Sequence, residues 1–202
     1  MYDYKNMKII EYINDLSTEY HIPAGGSVAC INGSILFSLL EMVLSISKKK
    51  FVKNNDFINI EKIDLIIYKN KENKVNFLEF MRDDTLNFDE LMSIYKNSKN
   101  LDIELKNEKI REKSILACEV PYKILDIINN DICEEFEYII SVTNKNLYSD
   151  LKLIKNLLVL VIQNSIDNIN ANKMYINADL KKFDDIILKS SENLEKIISM
   201  NI

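Results

Sequence analysis

Apolar residues recur along the chain with helical spacing and almost never alternate. Ile9, Ile10, Ile13 and Leu16 predict an amphipathic helix over 6–20, ending before His21-Ile22-Pro23-Ala24-Gly25-Gly26. Ser27 opens an apolar stretch to Ser47 with a single charge, Glu41, and small residues at Ala29, Gly33, Ser34 and Ser38 that let another helix or a second subunit approach closely. Residues 48–75 are ambiguous: Ile60–Tyr68 fits a helix or a strand, and Asn54-Asn55 and Asn70–Asn73 read as surface connections. A helix is predicted over 76–97 from Phe77, Phe80, Leu86, Leu91 and Tyr95, then a polar connection over 98–106 and a helix from about 107 that Pro121 is expected to kink or interrupt. A short helix over 131–142 and a polar turn at Thr143–Asn146 follow. A second strongly apolar helix spans 147–171, and a last one about 178–200 with Asn177 as its N-cap. No repeat or linker divides the chain, so residues 1–202 read as one all-α domain, a bundle of long antiparallel helices.

Composition sharpens this picture. With 3 Gly and 2 Pro in 202 residues, the chain lacks the turn residues that β-sandwiches and barrels require. A net charge of −5 gives no overall field for nucleic acid. Cys30, Cys118 and Cys133 are dispersed and form no C-x-x-C pair, which points to small buried hydrophobes in a reducing, cytoplasmic setting. No signal-peptide core opens the sequence. The stretch 27–47 with Lys48, Lys49 and Lys50 behind it has the length of a membrane span, but its serines, Asn32 and Glu41 favour a buried helix.

The unusual residues are concentrated. All three glycines, Gly25, Gly26 and Gly33, fall within nine residues, two of them at the mouth of a helix. Glycine serves where φ is positive or where another group comes close, and free N–H groups at a helix start favour an anion or an electron-rich ligand atom. A tight turn plus a packing glycine explains the same pattern. Asn164, Asn168 and Asn172 share one helix face with Val161, Leu157, Ile154 and Asp150. Asp150 and Asn168 lie about 27 Å apart along a helix, so either one is structural or a dimer brings opposite ends together. His21 is the only histidine, and it belongs to no metal or Ser-His-Asp pattern. Lys48–Lys50 suit an acidic ligand or simply complement a helix C-terminus.

In this order the blocks resemble the cyclodeaminase/cyclohydrolase family, which includes the cyclodeaminase half of formiminotransferase-cyclodeaminase and the bacterial methenyltetrahydrofolate cyclohydrolases. The resemblance rests on Pro23-Ala24-Gly25-Gly26-Ser27, Gly33, Met42-Val43, Lys48–Phe51, the Asp84/Phe88/Tyr95-Lys96 helix, Val120-Pro121, Asn144 to Asp150, and the pair Asn168/Asn172. It implies an all-α homodimer and a folate as substrate, with no tightly bound cofactor, metal, nucleic acid or membrane. The implied reaction occurs at the carbon bridging N5 and N10 of tetrahydrofolate. It is either hydrolysis of the 5,10-methenyl ring or closure of the 5-formimino group with loss of ammonia. The 202 residues contain no formiminotransferase half, which tilts the expectation toward the cyclohydrolase. Asp150, Lys48 and Asp84 are the implied catalytic candidates, and Pro23, Gly25, Gly26, Ser27, Ser45, Asn144, Asn168 and Asn172 the substrate-binding ones. The sequence departs from the family pattern at Ala24, Ser45, Leu151, Lys152 and Asn170, where bulk near a cleft would narrow it. The alternative expectation is a non-catalytic helical dimer of the same fold that binds folate weakly or a protein partner.

Overall fold

The computed structural model describes residues 3–97, 102–174, 176 and 180–202. Among these every regular element is helical: α1 (Ile9–Leu16), α2 (Gly25–Lys53), α3 (Phe57–Asn97), α4 (Ile103–Ile128), α5 (Phe136–Val142), α6 (Tyr148–Lys173) and α7 (Lys181–Ser199). The position read as an N-cap, Asn177, lies outside the described residues.

The central pair is α2 against α3, running antiparallel. Gly33 makes their contact possible: a methyl there would sit 2.1 Å from Phe77 Cδ1, so the aromatic ring occupies the space of the missing side chain. At the next residue, Ser34 Oγ donates to the Lys74 carbonyl at 3.0 Å, and Lys74 pairs with Glu41 at 3.0 Å. Leu36, Phe37, Leu40, Val43 and Leu44 of α2 are fully buried, which makes this a core helix despite its apolar length. Asn55, at φ 55°, turns the chain between the two helices, a conformation Asn tolerates better than most residues.

The ambiguous stretch 48–75 resolves as the end of α2, a turn over 54–56 and the first half of α3, a continuous 41-residue helix. The reading of Asn70–Asn73 as a surface connection is corrected: Asn70 is 1% exposed, and Asn73 Nδ2 donates to Asp131 Oδ2 at 2.9 Å while Lys69 pairs with Asp131 Oδ1 at 2.8 Å. These polar residues form a seam between helices. The helix expected over 131–142 divides into a π-turn at Asn129–Cys133, which delivers Asp131 to that seam, and α5. Buried Asn129 in the same turn donates to Ser190 Oγ and accepts from Asn193 Nδ2, at 2.8 and 2.9 Å, and so fastens α7 to the bundle.

The amphipathic helix expected over 6–20 is shorter, and it faces the opposite way from the usual arrangement. Tyr12 alone is buried, while Ile9, Ile10, Ile13 and Leu16 are exposed. Helix α6 follows the expected pattern, with Leu151, Ile154, Leu158, Val161, Ile162, Ile166 and Ile169 in the core.

Pro121 lies inside α4 without ending it. Proline has no N–H, so the carbonyl four residues earlier, that of Ala117, loses its helical donor. Asn172 Nδ2 supplies a replacement at 3.2 Å from α6. Asn172→Ala is therefore expected to cost about 1–2 kcal/mol, the scale of a lost bond to a partly buried acceptor. Urea unfolding checks this. In a Pro121→Ala background, where the helix can make its own bond, the same change should cost measurably less.

Candidate functional site

The chain leaves α1 through a cis Ile22–Pro23 peptide, and Pro23 is buried directly ahead of α2. Ala24 precedes the helix in extended geometry, φ −137° and ψ −165°, which any residue adopts, so the alanine in place of glycine leaves the turn unchanged. No glycine has positive φ. Close approach is what Gly26 serves: a methyl there would fall 2.2 Å from Asp84 Oδ1. Gly25 is different, since its methyl would lie 3.6 Å from Asn164 Nδ2 and 4.0 Å from Asn168 Oδ1, ordinary contacts.

Asp84 thus comes from the middle of α3 onto the first turn of α2. The Ser27 backbone N–H donates to its carboxylate. The N–H groups of Gly25 and Gly26 belong to the same helix start, where the macrodipole is positive. Burial outweighs that help and pushes the Asp84 carboxyl up to about 7. Two hydroxyls support the turn from behind: Ser27 Oγ donates to the Ala24 carbonyl at 3.0 Å and is bonded to Tyr12 Oη at 3.0 Å. The Tyr12 phenol and the Cys30 thiol are both raised, chiefly by burial, with the Asp84 charge adding to it. Both keep their protons at neutral pH, and Asp84 is the group in this cluster poised to exchange one. On the far side, Asn168 Nδ2 donates to Asn164 Oδ1 at 2.8 Å, an arrangement that locks the pair of amides beside Gly25.

The chain therefore unites Pro23, Gly25, Gly26, Ser27, Asp84 and Asn168. It does not bring in the remaining candidates. Lys48 is 22 residues from Gly26 on the same helix, about 33 Å away along its axis, and is paired with Asp64 of α3. Ser45 is exposed nearby. The Asn144 backbone N–H donates to Ser47 Oγ at 2.9 Å, which places the 143–150 segment, with Asp150 in the first turn of α6, at that same lower end. Asn172 is occupied by Ala117. The two bulky departures lie away from the upper cluster: Leu151 is fully buried in the core and Lys152 is exposed.

Sequence reasoning missed Tyr12 and did not select Asn164. Tyr12 breaks the Ile9/Ile13/Leu16 stripe, and its place on the other face was the available signal. His21, the only histidine, is paired, with Nε2 2.8 Å from Asp89 Oδ1 and Nδ1 3.3 Å from Lys96 Nζ.

Because Gly26 faces a movable carboxylate and Gly25 faces open contact, the two glycines should respond differently to a methyl. Gly26→Ala is expected to displace Asp84 and depress any activity by about 100-fold or more, as misplacement by about 1 Å does. Gly25→Ala should leave both activity and melting temperature within a few-fold and a few degrees of the parent. Steady-state rates with parallel thermal melts check this.

The fold and this arrangement define an all-helical domain with a half-buried carboxyl, raised toward neutral pH, docked on a helix N-terminus. The chain matches the formiminotransferase-cyclodeaminase family over residues 8–189 and belongs to that family. Its fold is similar to that of formiminotetrahydrofolate cyclodeaminase from Thermotoga maritima, with a TM-score of 0.70 at 19% identity, covering 96% of this chain and 94% of the other. No curated protein matches it.

Proposed function

We propose that the protein is a cytoplasmic folate one-carbon enzyme acting at the carbon that bridges N5 and N10 of tetrahydrofolate, and that it works as a homodimer. The observation that carries the chemistry is Asp84, held against Gly26 and the Ser27 N–H at the first turn of α2 with its carboxyl at about 7, at the same helix start where Gly25 meets the Asn164/Asn168 pair. Closing a 5-formimino group requires N10 to lose a proton and the departing ammonia to gain one. Opening a 5,10-methenyl ring requires a water to lose a proton and a nitrogen to gain one. A carboxyl that titrates near neutral pH serves either exchange. The amides of Gly25 and Gly26 and the carboxamides beside them suit the tetrahedral carbon between these steps.

Support for the dimer comes from the surface that joins the two clusters. Ile35, Met42 and Ile46 of α2 and Leu153 and Leu160 of α6 retain 37–48% of their surface, an apolar stripe of the kind that marks an interface. It runs from Gly25 and Asn164 at one end to Ser45 and Asp150 at the other. In the proposed dimer, a twofold axis across the middle of this stripe would set the Asp84 cluster of one protomer against the Lys48/Asp150 end of its partner, so that both ends could contribute to one shared site. The lysine run 48–50 would there meet the anionic glutamate tail of the substrate.

The test offers the purified protein both substrates. Loss of the 5,10-methenyltetrahydrofolate absorbance in proportion to enzyme establishes the cyclohydrolase. Ammonia release with appearance of that absorbance from 5-formiminotetrahydrofolate establishes the cyclodeaminase. Turnover of neither overturns the reading.

A further inference from the structure

Beside the Asp84 cluster lies a cavity of about 250 Å³ that the proposed chemistry does not use. It opens between the end of α1, the segment leading to Pro23, and the next turn of α3, with Asp15, Thr18, Tyr20, His21 and Asp89 on its walls. Asp89 is five residues beyond Asp84, about 7.5 Å further along the same helix and about 140° around it, and the cavity adjoins the cluster through Ile22, next to Pro23, and Tyr4, whose ring packs on Tyr12 at 5.7 Å. The cavity is smaller than the roughly 300–1,000 Å³ of sites that take a whole drug-sized molecule. It is the size of a compartment for one ring system.

Its walls are selective in chemistry. His21 is held from three sides: by Asp89 at Nε2, by Lys96 at Nδ1, and by Phe88, whose ring packs edge-on at 6.2 Å. The Lys96 ammonium can only donate, so Nδ1 accepts and the imidazole proton sits on Nε2, directed at Asp89 Oδ1. The histidine is thereby a fixed flat wall. Among the described residues, Asp89 Oδ2 and both Asp15 carboxylate oxygens have no protein partner, and the Tyr20 ring is 71% exposed. Two carboxylates and three aromatic rings, those of Tyr4, Tyr20 and His21, line the space. Such a site attracts a flat heterocycle bearing adjacent N–H donors, which a carboxylate binds through two parallel hydrogen bonds. It repels an anion.

On the reading given under Proposed function, the substrate has one end of each kind. Its pterin carries an amino group next to a ring N–H, and its glutamate tail carries carboxylates. We infer that this cavity is the pterin compartment, with Asp89 and Asp15 accepting from the 2-amino-pyrimidinone edge and His21 and Tyr20 bounding the ring faces. The bridging carbon then points back along α3 to Asp84, and the tail leaves away from the two aspartates.

The experiment titrates 6-methyltetrahydropterin and, separately, p-aminobenzoylglutamate into the wild-type chain, Asp89→Asn and Asp15→Asn by calorimetry, with 5,10-methenyltetrahydrofolate as the full ligand. The pterin is expected to bind and to compete with the full folate. Each variant should weaken pterin and full folate by about tenfold or more while leaving p-aminobenzoylglutamate affinity and the melting temperature unchanged. Full folate that binds both variants as it binds the wild type overturns the compartment and leaves the enzyme reading intact. So does a loss confined to p-aminobenzoylglutamate. Absence of full-folate binding by the wild-type chain overturns both.

Discussion

Asp84→Asn is expected to cut turnover sharply and to make the protein more stable. The two effects have one cause. The structure holds a carboxyl where its charge is poorly solvated, raising it from 3.8 to about 7. Between those values the folded chain retains a proton that the unfolded chain has released. Stability therefore falls as pH rises from about 4 to about 7, by at most about 1.4 kcal/mol per pH unit, and is level above that. Asparagine keeps an oxygen for the Ser27 N–H and carries no charge to bury. At pH 8 the variant should gain about 2 kcal/mol, the full shift being discounted because part of Asp84 remains accessible, and its unfolding free energy should lose its slope between pH 4 and 7. Turnover should fall by about 100-fold or more, the usual contribution of a positioned acid or base. The wild-type rate should show a limb near pH 7 that the variant lacks. Urea unfolding across pH, together with the pH–rate profile, reads both. A variant that is inactive but no more stable at pH 8 would show that Asp84 is solvated in solution.

The second large effect concerns assembly. Ile35→Glu puts a charge at the centre of the exposed α2/α6 stripe without touching the core, since Ile35 is 44% exposed. A carboxylate buried against its own symmetry mate costs several kcal/mol, enough to dissociate a dimer of ordinary size. Sedimentation should report a monomer with an unchanged helical spectrum, and activity should fall with it by about 100-fold. A sharper version mixes inactive Asp84→Asn and Asp150→Asn chains. If each site draws on both protomers, random pairing regenerates one intact site in every mixed dimer, and about a quarter of wild-type activity returns. Mixtures that stay inactive, from chains shown to exchange subunits, would confine the site to one protomer and remove Asp150 from it.

Much of this architecture is legible in the residues. Long apolar runs mark α2 and α6, because a helix packed on several sides is apolar around most of its surface. Scarcity of glycine and proline excludes the turn-rich folds. The cluster of glycines points to the mouth of α2, which is where Asp84 and the asparagines converge. Where the reading fails, the partner decided the outcome. Asn70 to Asn73 look like a loop because amides usually seek water, yet Asp131, brought by a π-turn 58 residues later, gives Asn73 a bond inside the bundle. The α1 stripe looks like a core face, yet it remains exposed. Asn172 looks like a ligand-binding amide, yet it completes the backbone that Pro121 leaves unpaired.

The sequence by itself determined the class of fold, the existence of the long helices and the location of the glycine turn. These follow from local spacing and from the conformational limits of single residues, which are written in neighbouring positions. Tertiary structure alone decided which carboxylate stands at that turn. Asp84 and Asp150 are equivalent as residue types, and a register separates them: the antiparallel pairing of α2 and α3, set where Phe77 fills the space over Gly33, brings Asp84 to Gly26 and leaves Lys48, at the far end of α2, opposite Asp64. Burial at that point then shifts its proton affinity into the neutral range, a property of the packed environment that no single residue carries.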